Sequence, residues 1–321
     1  MYFNLLRTLF SFKKRDNYPM YSMTYYGDYE FDEFIKEGAK SDDDIRKFVR
    51  KRLTRRKDVE LNKSDSGCTA FLTKSLSDGI LFARNFDFSF APSLIVKTKP
   101  RNGYASVSIV DMTILGYKKD NMPKKTAEKL PLLASPYLPS DGMNEKGLAV
   151  AILQVPQTNL PKDPNKVMLN TTTIIRLLLD KAATVDEAVN LFNQYNLYFS
   201  HDIYCHYFIA DQTGKSVILE FLDGKVYSIE ENIASNFCAK NGFSGNISDC
   251  AHDRYDKVKS TLGIQNGLRG MTDAASLLCN VGCYNKEKID MLQWSVVYNL
   301  TMLKGMAFPH RNMSKPYRFR I

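Results

Sequence analysis

After Gly67 the chain settles into short runs of strand type, and this texture limits its fold more than any other feature. The runs are TAFLTK, ILFARNFDF, SLIVKTK, YASVSIV and GLAVAIL, then YCHYFIAD, SVILEFL and KVYSI, and finally WSVVYNL and LKGMAF. Apolar residues at every second position mark half-buried strands, and wholly apolar runs mark strands buried on both faces. Helical stretches divide the runs into groups: TTTIIRLLLDKAA (171–183) and VDEAVNLFNQY (185–195), with further helix near 253–262 and 272–280. Strands and helices segregated in this way predict an α+β domain with helices layered over sheets. The chain has 321 residues, of which 44% are hydrophobic, and no internal repeat or low-complexity tract divides it. The economical reading is one domain, residues 68–321, preceded by an extension, residues 1–67.

The extension is Tyr-rich and charged, and it carries a helix whose signals are legible. Ser41 is the N-cap, Asp42, Asp43 and Asp44 fill the first turn where the helix dipole favours anions, and Ile45, Phe48, Val49 and Leu53 share one face. Such a face is expected to dock on the domain. The start, MYFNLLRTLFSFKKR, places its charges after the apolar stretch and offers no small-residue cleavage site, so it is a poor secretory signal. Apolar runs such as Ile174–Leu179 fall short of the roughly 18 residues that cross a bilayer. A cytoplasmic protein without stable membrane insertion is expected, and six scattered cysteines fit a reduced chain better than a disulfide framework. The net charge is +9, but the one dense basic cluster, KFVRKRLTRRK at 47–57, reads as a solvated helix face and not as a nucleic-acid site.

Several motifs imitate chemistry that the rest of the chain does not support. DQTGKS at 211–216 resembles the end of a phosphate loop, yet Ile209 stands where the upstream glycine would be, and flanking strands make it a hairpin turn. His201, Cys205 and His206 suggest a metal, but strand alternation sends Cys205 and His206 to opposite faces. Cys279 and Cys283, four apart on a helical stretch, read as core thiols. GFSG at 242–245 lacks the spacing of a nucleophile elbow.

The remaining constellation surrounds Cys68. Ser77-Asp78-Gly79 is a turn signal, and a two-residue loop at 77 and 78 would pair Cys68 with Asp87. Arg84 would then face away from Cys68 unless a β-bulge falls at Asn85 or Phe86. If Cys68 began a mature chain, its α-amine, titrating near 8, could take the thiol proton, and base and nucleophile would share one residue. A guanidinium beside the sulfur would favour the thiolate, and a carboxylate would hold the α-ammonium. Gly67 could permit the strained backbone from which the sulfur attacks the preceding carbonyl. A buried structural cysteine beside an ion pair would read the same way from spacing alone.

CTAF followed by ARNFDF resembles the start of the choloylglycine hydrolase group of N-terminal-nucleophile enzymes, the linear amide C-N hydrolases that include bile salt hydrolases and penicillin V acylases. The resemblance continues in DGMNEKGLAVAIL (141–153), ADQTGKSVILE (210–220), IASNF (233–237) and HDRYDKV (252–258). It implies a four-layered αββα fold with Cys68 as nucleophile, its α-amine as base, and Arg84 and Asp87 as the residues that tune and anchor them. It further implies Asn236 as an oxyanion-hole donor and Arg254 as a supporting charge. Gln154 stands where bile salt hydrolases carry a second oxyanion-hole Asn. The extension before Cys68 is similar in arrangement to that of acid ceramidase, N-acylethanolamine acid amidase and the penicillin-forming acyltransferase, which weighs against bile salts.

The reading that follows is an amidase for a linear N-acyl amide, matured by cleavage between Gly67 and Cys68, with residues 1–67 as pro-segment and no cofactor or metal required. Acyl transfer to an amine, or an uncleaved inactive binding protein, are the alternatives. The expected partner is the small-molecule substrate; self-association into a homo-oligomer is left open. Tyr104, Phe90, Tyr137 and Trp294 are candidates either for an acyl pocket or for core packing.

Overall fold

The computed structural model describes residues 2–53, 66–240, 250–264, 268–284, 287 and 289–321. The GFSG tetrapeptide and the last residues of the basic run at 47–57 lie outside them.

The N-terminal segment forms α1 (Tyr2–Ser11), β1 (Lys13–Asp16), β2 (Met20–Thr24), α2 (Phe31–Glu37) and α3 (Asp42–Arg52). The Ser41 hydroxyl caps α3 by accepting the Asp44 N–H, and Ile45, Phe48, Val49 and Leu53 are buried as their spacing requires. Strands β1 and β2 were not legible: KKRD at 13–16 is charged and mostly exposed, and MYSMT at 20–24 is buried at four successive positions and so shows no alternation. A hairpin follows, β3 (Ser66–Ser75) and β4 (Gly79–Phe88), then β5 (Ser93–Thr98), β6 (Ser106–Asp111), β7 (Asp141–Asn144) and β8 (Ala149–Gln154). A parallel pair, β9 (Met168–Asn170) and β10 (Asn196–Tyr198), brackets α4 (Thr173–Lys181) and α5 (Val185–Phe192). The chain continues through β11 (Cys205–Ala210), β12 (Ser216–Leu222), β13 (Lys225–Glu230), β14 (Ile233–Ala234), α6 (Ala251–Leu262) and α7 (Met271–Asn280). It closes with β15 (Leu292–Asn299), β16 (Lys304–Pro309) and β17 (Tyr317–Arg320).

Two sheets result, a nine-stranded one ordered β1-β2-β5-β6-β7-β8-β11-β12-β13 and a six-stranded one ordered β14-β3-β4-β15-β16-β17. Side-chain alternation divides the apolar residues into three layers. Ala70, Leu72, Phe82 and Val296 of the smaller sheet meet Ile95, Ile109, Ala151 and Phe208 of the larger between the sheets. Phe71, Leu81, Ala83 and Val297 point the other way, onto Val258, Ala274 and Leu278 of α6 and α7. Residues of α4, α5 and the N-terminal segment cover the outer face of the larger sheet. This is the four-layer αββα sandwich.

The N-terminal segment belongs to the same core. β2 pairs in parallel with β5, from Met20 opposite Ser93 to Thr24 opposite Lys97. Phe34 packs edge-on to Tyr137 at 5.2 Å, and the Tyr29 hydroxyl donates to Asp180. Of the four aromatic candidates, Tyr137 and Trp294 are fully buried in the core, the packing alternative.

Candidate active site

The hairpin that presents Cys68 differs by one residue from the expected one. Its loop is Leu76-Ser77-Asp78, and Ser75 pairs with Gly79, so Cys68 lies opposite Phe86 and Gly67 opposite Asp87. Gly79 adopts a φ of +77°, the left-handed conformation that closes a three-residue loop, and a Cβ there would stand 2.6 Å from the Thr301 hydroxyl. The slip reverses the face assignments. Arg84 falls on the Cys68 side without any bulge, and the β3–β4 ladder is continuous. The register shift lies instead in β15, between Leu292 and Trp294, opposite Asp87 and Phe86.

Arg84 is fully buried and held from behind. One guanidinium nitrogen pairs with Asp141 on β7, and the other donates to the Ile152 carbonyl at 2.9 Å and lies 3.6 Å from Cys68 Sγ. The Tyr298 hydroxyl donates to the second Asp141 oxygen at 2.5 Å. Asp141 and Tyr298 were missed as site residues. Asp141 stood in the run that carried the resemblance, but nothing local says that its carboxylate meets an arginine on another sheet. In this uncleaved chain burial raises the Cys68 thiol, outweighing Arg84 and Arg254, which lower it. The thiolate-favouring effect expected of Arg84 is present but is outweighed by burial.

The main chain of Cys68 is gripped as closely as its sulfur. Its N–H donates to Asn236 Oδ1 at 2.5 Å, and its carbonyl accepts from Arg254 Nη1 at 2.6 Å. Arg254, near the start of α6, also donates to the Thr69 hydroxyl at 2.6 Å and to Asn236 Oδ1 at 2.7 Å. It is buried, so the surface role open to a helix-start arginine does not apply. Asn236 turns its oxygen to Cys68 and donates its amide to the Gln154 main-chain oxygen at 2.8 Å. Gln154 ends β8 opposite Cys205, and both line a cavity that opens onto Cys68.

Asp87 lies on the helix-facing side of β4. It accepts the Cys283 N–H at 2.9 Å and stands 3.6 Å from Arg254, while burial raises its carboxyl to about 6 despite Arg254. The peptide nitrogen of Cys68 is met by Asn236, and Asp87 stands on the far side of Arg254, which holds the Cys68 carbonyl. Gly67 occupies a regular ladder position with no left-handed φ, and a Cβ there would meet Asp87 Cβ at 3.5 Å, an ordinary contact. The strained backbone expected at Gly67 is not observed.

The cavity at Cys68 is walled by Phe86, Phe88, Ile114, Leu138, Ile152 and Ile203. Cys205 faces it, whereas His206 on the other side of β11 bonds Glu220 at 3.0 Å, as alternation required. No three His, Cys, Asp or Glu side chains among the described residues gather to hold a metal ion. DQTGKS forms the turn of the β11–β12 hairpin, with Gly214 at φ +92°. Cys283 lies beyond the end of α7, not on a helix with Cys279, and its sulfur is 2.6 Å from that of Cys250. No helix among the described residues is long and apolar enough to cross a membrane.

The fold has counterparts, and part of the sequence does too. A penicillin V acylase of Pectobacterium atrosepticum is 33% identical over 97 residues, and the match spans 27% of this chain and only 26% of that protein. The conjugated bile acid hydrolase of Clostridium perfringens superposes with a TM-score of 0.60 at 17% identity, covering 79% of this chain and 92% of the other. The penicillin V acylase of Agrobacterium tumefaciens does so with a TM-score of 0.55 at 18% identity, covering 79% and 86%. The model of the linear amide C-N hydrolases, choloylglycine hydrolase family, matches residues 68–236, more than half of the chain. On that match, carried by the hairpin of Cys68 and the strands that face it, the chain belongs to the choloylglycine hydrolase family of linear amide C-N hydrolases.

Proposed function

We propose that the protein hydrolyses a linear N-acyl amide, with Cys68 as an N-terminal nucleophile freed by its own attack on Gly67. The observation that carries the reading is the double grip on one residue. The Cys68 nitrogen rests on Asn236 Oδ1, while its sulfur lies 3.6 Å from Arg84 and borders an apolar cavity. A structural cysteine needs no buried arginine at its sulfur, and its N–H is ordinarily met by a main-chain carbonyl of the sheet, not by a side-chain amide that a second buried arginine also holds.

In maturation the Cys68 sulfur adds to the Gly67 carbonyl carbon, the Gly67–Cys68 C–N bond breaks, and the nitrogen keeps the proton released by the thiol. Water hydrolyses the resulting thioester, leaving the Gly67 carboxylate and a Cys68 with free thiol and free α-amine. In turnover the α-amine takes the thiol proton and the sulfur adds to the substrate carbonyl. The α-ammonium then protonates the departing amine, and water releases the acid from the thioester. Asn236 and Gln154 are the side chains with amide donors near the developing oxyanion. In the uncleaved chain Asn236 is engaged by the Cys68 and Arg254 N–H groups and by the Gln154 carbonyl, so serving the oxyanion requires the shift that cleavage allows. Arg84, with Asp141 behind it, supplies positive charge to the sulfur, and Arg254 with Asp87 fixes the Cys68 backbone.

The apolar walls suit an apolar acyl group. That a penicillin V acylase and a conjugated bile acid hydrolase share this fold supports an acyl amide as substrate. A panel of N-acyl amino acids, N-acylethanolamines, penicillin V and conjugated bile salts, assayed for released amine, tests the reading. Turnover of one class, lost in Cys68→Ala, with the acyl group trapped on the Cys68 peptide by acid quench and mass spectrometry, is expected. Turnover that survives Cys68→Ala overturns it.

A further inference from the structure

Asp111, at the end of β6, is 1% exposed and lines the same cavity as Cys68. One of its carboxyl oxygens accepts both the N–H and the hydroxyl of Thr113, each at 2.8 Å; the other has no hydrogen-bond partner. The remaining buried carboxylates among the described residues are all provided for. Asp87 lies by Arg254, Asp141 by Arg84, Asp180 by Arg176 and Glu220 by His206. Asp211 spends one oxygen on Val185 N–H and the other on Thr213. Asp111 alone has an oxygen with neither a hydrogen bond nor an ion pair, and it is also the one that borders the cavity.

A buried carboxyl left unpaired costs free energy in either protonation state, so it persists where a ligand completes it. Apolar Ile114, Leu138 and Phe88 line the cavity with it, and the polar side chains of the same lining, Ser140, Thr172 and His201 among them, do not hydrogen-bond that oxygen. Of the groups a small molecule could bring, an ammonium both donates hydrogen bonds and cancels the charge, whereas a hydroxyl only donates. Once Cys68 is acylated, the acyl part is tied to the sulfur inside the cavity while the amine product leaves. We propose that Asp111 binds an ammonium group carried on the acyl part of the substrate, so that the preferred substrates are amides of amino-substituted acids with an apolar stretch between the amine and the scissile carbonyl. The choice of the acyl side rests on the reading of Cys68 as nucleophile.

The test is binding to the full-length Cys68→Ala chain, which does not depend on turnover and so fails separately from that reading. Calorimetric titration would compare ω-amino alkanamides of four, six and eight carbons with the methyl-terminated and ω-hydroxy amides of the same length. At least one amino amide should bind about 10-fold or more tighter than both counterparts, and in Asp111→Asn on the same background that ratio should fall to near one. No preference for the amine at any length, no binding at all, equal binding of the hydroxy amide, or a preference that survives Asp111→Asn would overturn the proposal. Should Asp111→Asn not fold, the comparison of amino with hydroxy amides in the parent chain decides alone.

Discussion

Arg84 reaches the Cys68 sulfur because Asp141 of the facing sheet, itself held by Tyr298, fixes it, and its charge is tolerable in the core only while that pairing lasts. Removing one member of a buried pair leaves the other uncompensated, so Asp141→Ala should lower the unfolding free energy by roughly 3–5 kcal/mol, read from urea denaturation. Asn236→Ala should lower kcat by roughly 10²–10³-fold in the folded enzyme, the loss usual for an oxyanion donor. Asp111 gives a signed pH dependence. Burial raises its carboxyl from 3.8 to about 7. Below about 4 folded and unfolded chains both hold the proton, and between about 4 and about 7 the folded chain alone does, so stability from this group falls as pH rises through that window. Denaturation of wild type and Asp111→Asn from pH 4 to pH 8 should therefore show the balance moving toward the variant and levelling above about 7. At this scale the sequence named Cys68, Arg84, Asp87, Gln154, Asn236 and Arg254, and the structure brings all of them around one residue or its cavity. Asp141, Tyr298 and the unpaired oxygen of Asp111 were out of reach, since each has meaning only through a partner, or a missing partner, across the sandwich.

The β3–β4 hairpin shows how much turns on one residue of register. Reading Ser77-Asp78 as the loop put Arg84 on the wrong face and called for a bulge; the three-residue loop with Gly79 at positive φ supplies the right face directly. Gly79→Ala meets both an unfavourable φ and the Thr301 hydroxyl at 2.6 Å, and should cost about 1–3 kcal/mol in the same denaturation assay. Gly67→Ala, by contrast, meets only ordinary contacts and should leave the thermal midpoint close to wild type. The longer strands after Gly67 were legible from alternation or from wholly apolar runs, as were α3 from its cap and periodicity and α4 to α7 as helical stretches. Short strands such as β7, β14 and β17, and the doubly buried β2, offer too few alternating positions to be read.

For the whole molecule, the N-terminal segment fills an edge and a face of the larger sheet, with Leu9, Phe31, Phe34 and Phe48 in the same core as Tyr137 and Leu178. Pairing of β2 with β5 joins residues far apart in sequence, which is why pattern alone could suggest docking but not a shared sheet. After cleavage at Cys68 this segment should stay bound, co-eluting with the larger fragment on native size exclusion and separating only in denaturant, and a chain begun at residue 68 should fold poorly or not at all. The measurement closest to the central claim is intact-mass analysis, under denaturing conditions, of the purified wild-type and Cys68→Ala chains. The account predicts a fragment beginning at Cys68 from the wild type and a single uncut chain from Cys68→Ala. A wild-type protein that hydrolyses acyl amides while remaining uncut, or a Cys68→Ala chain that is cut at the same place, would contradict it.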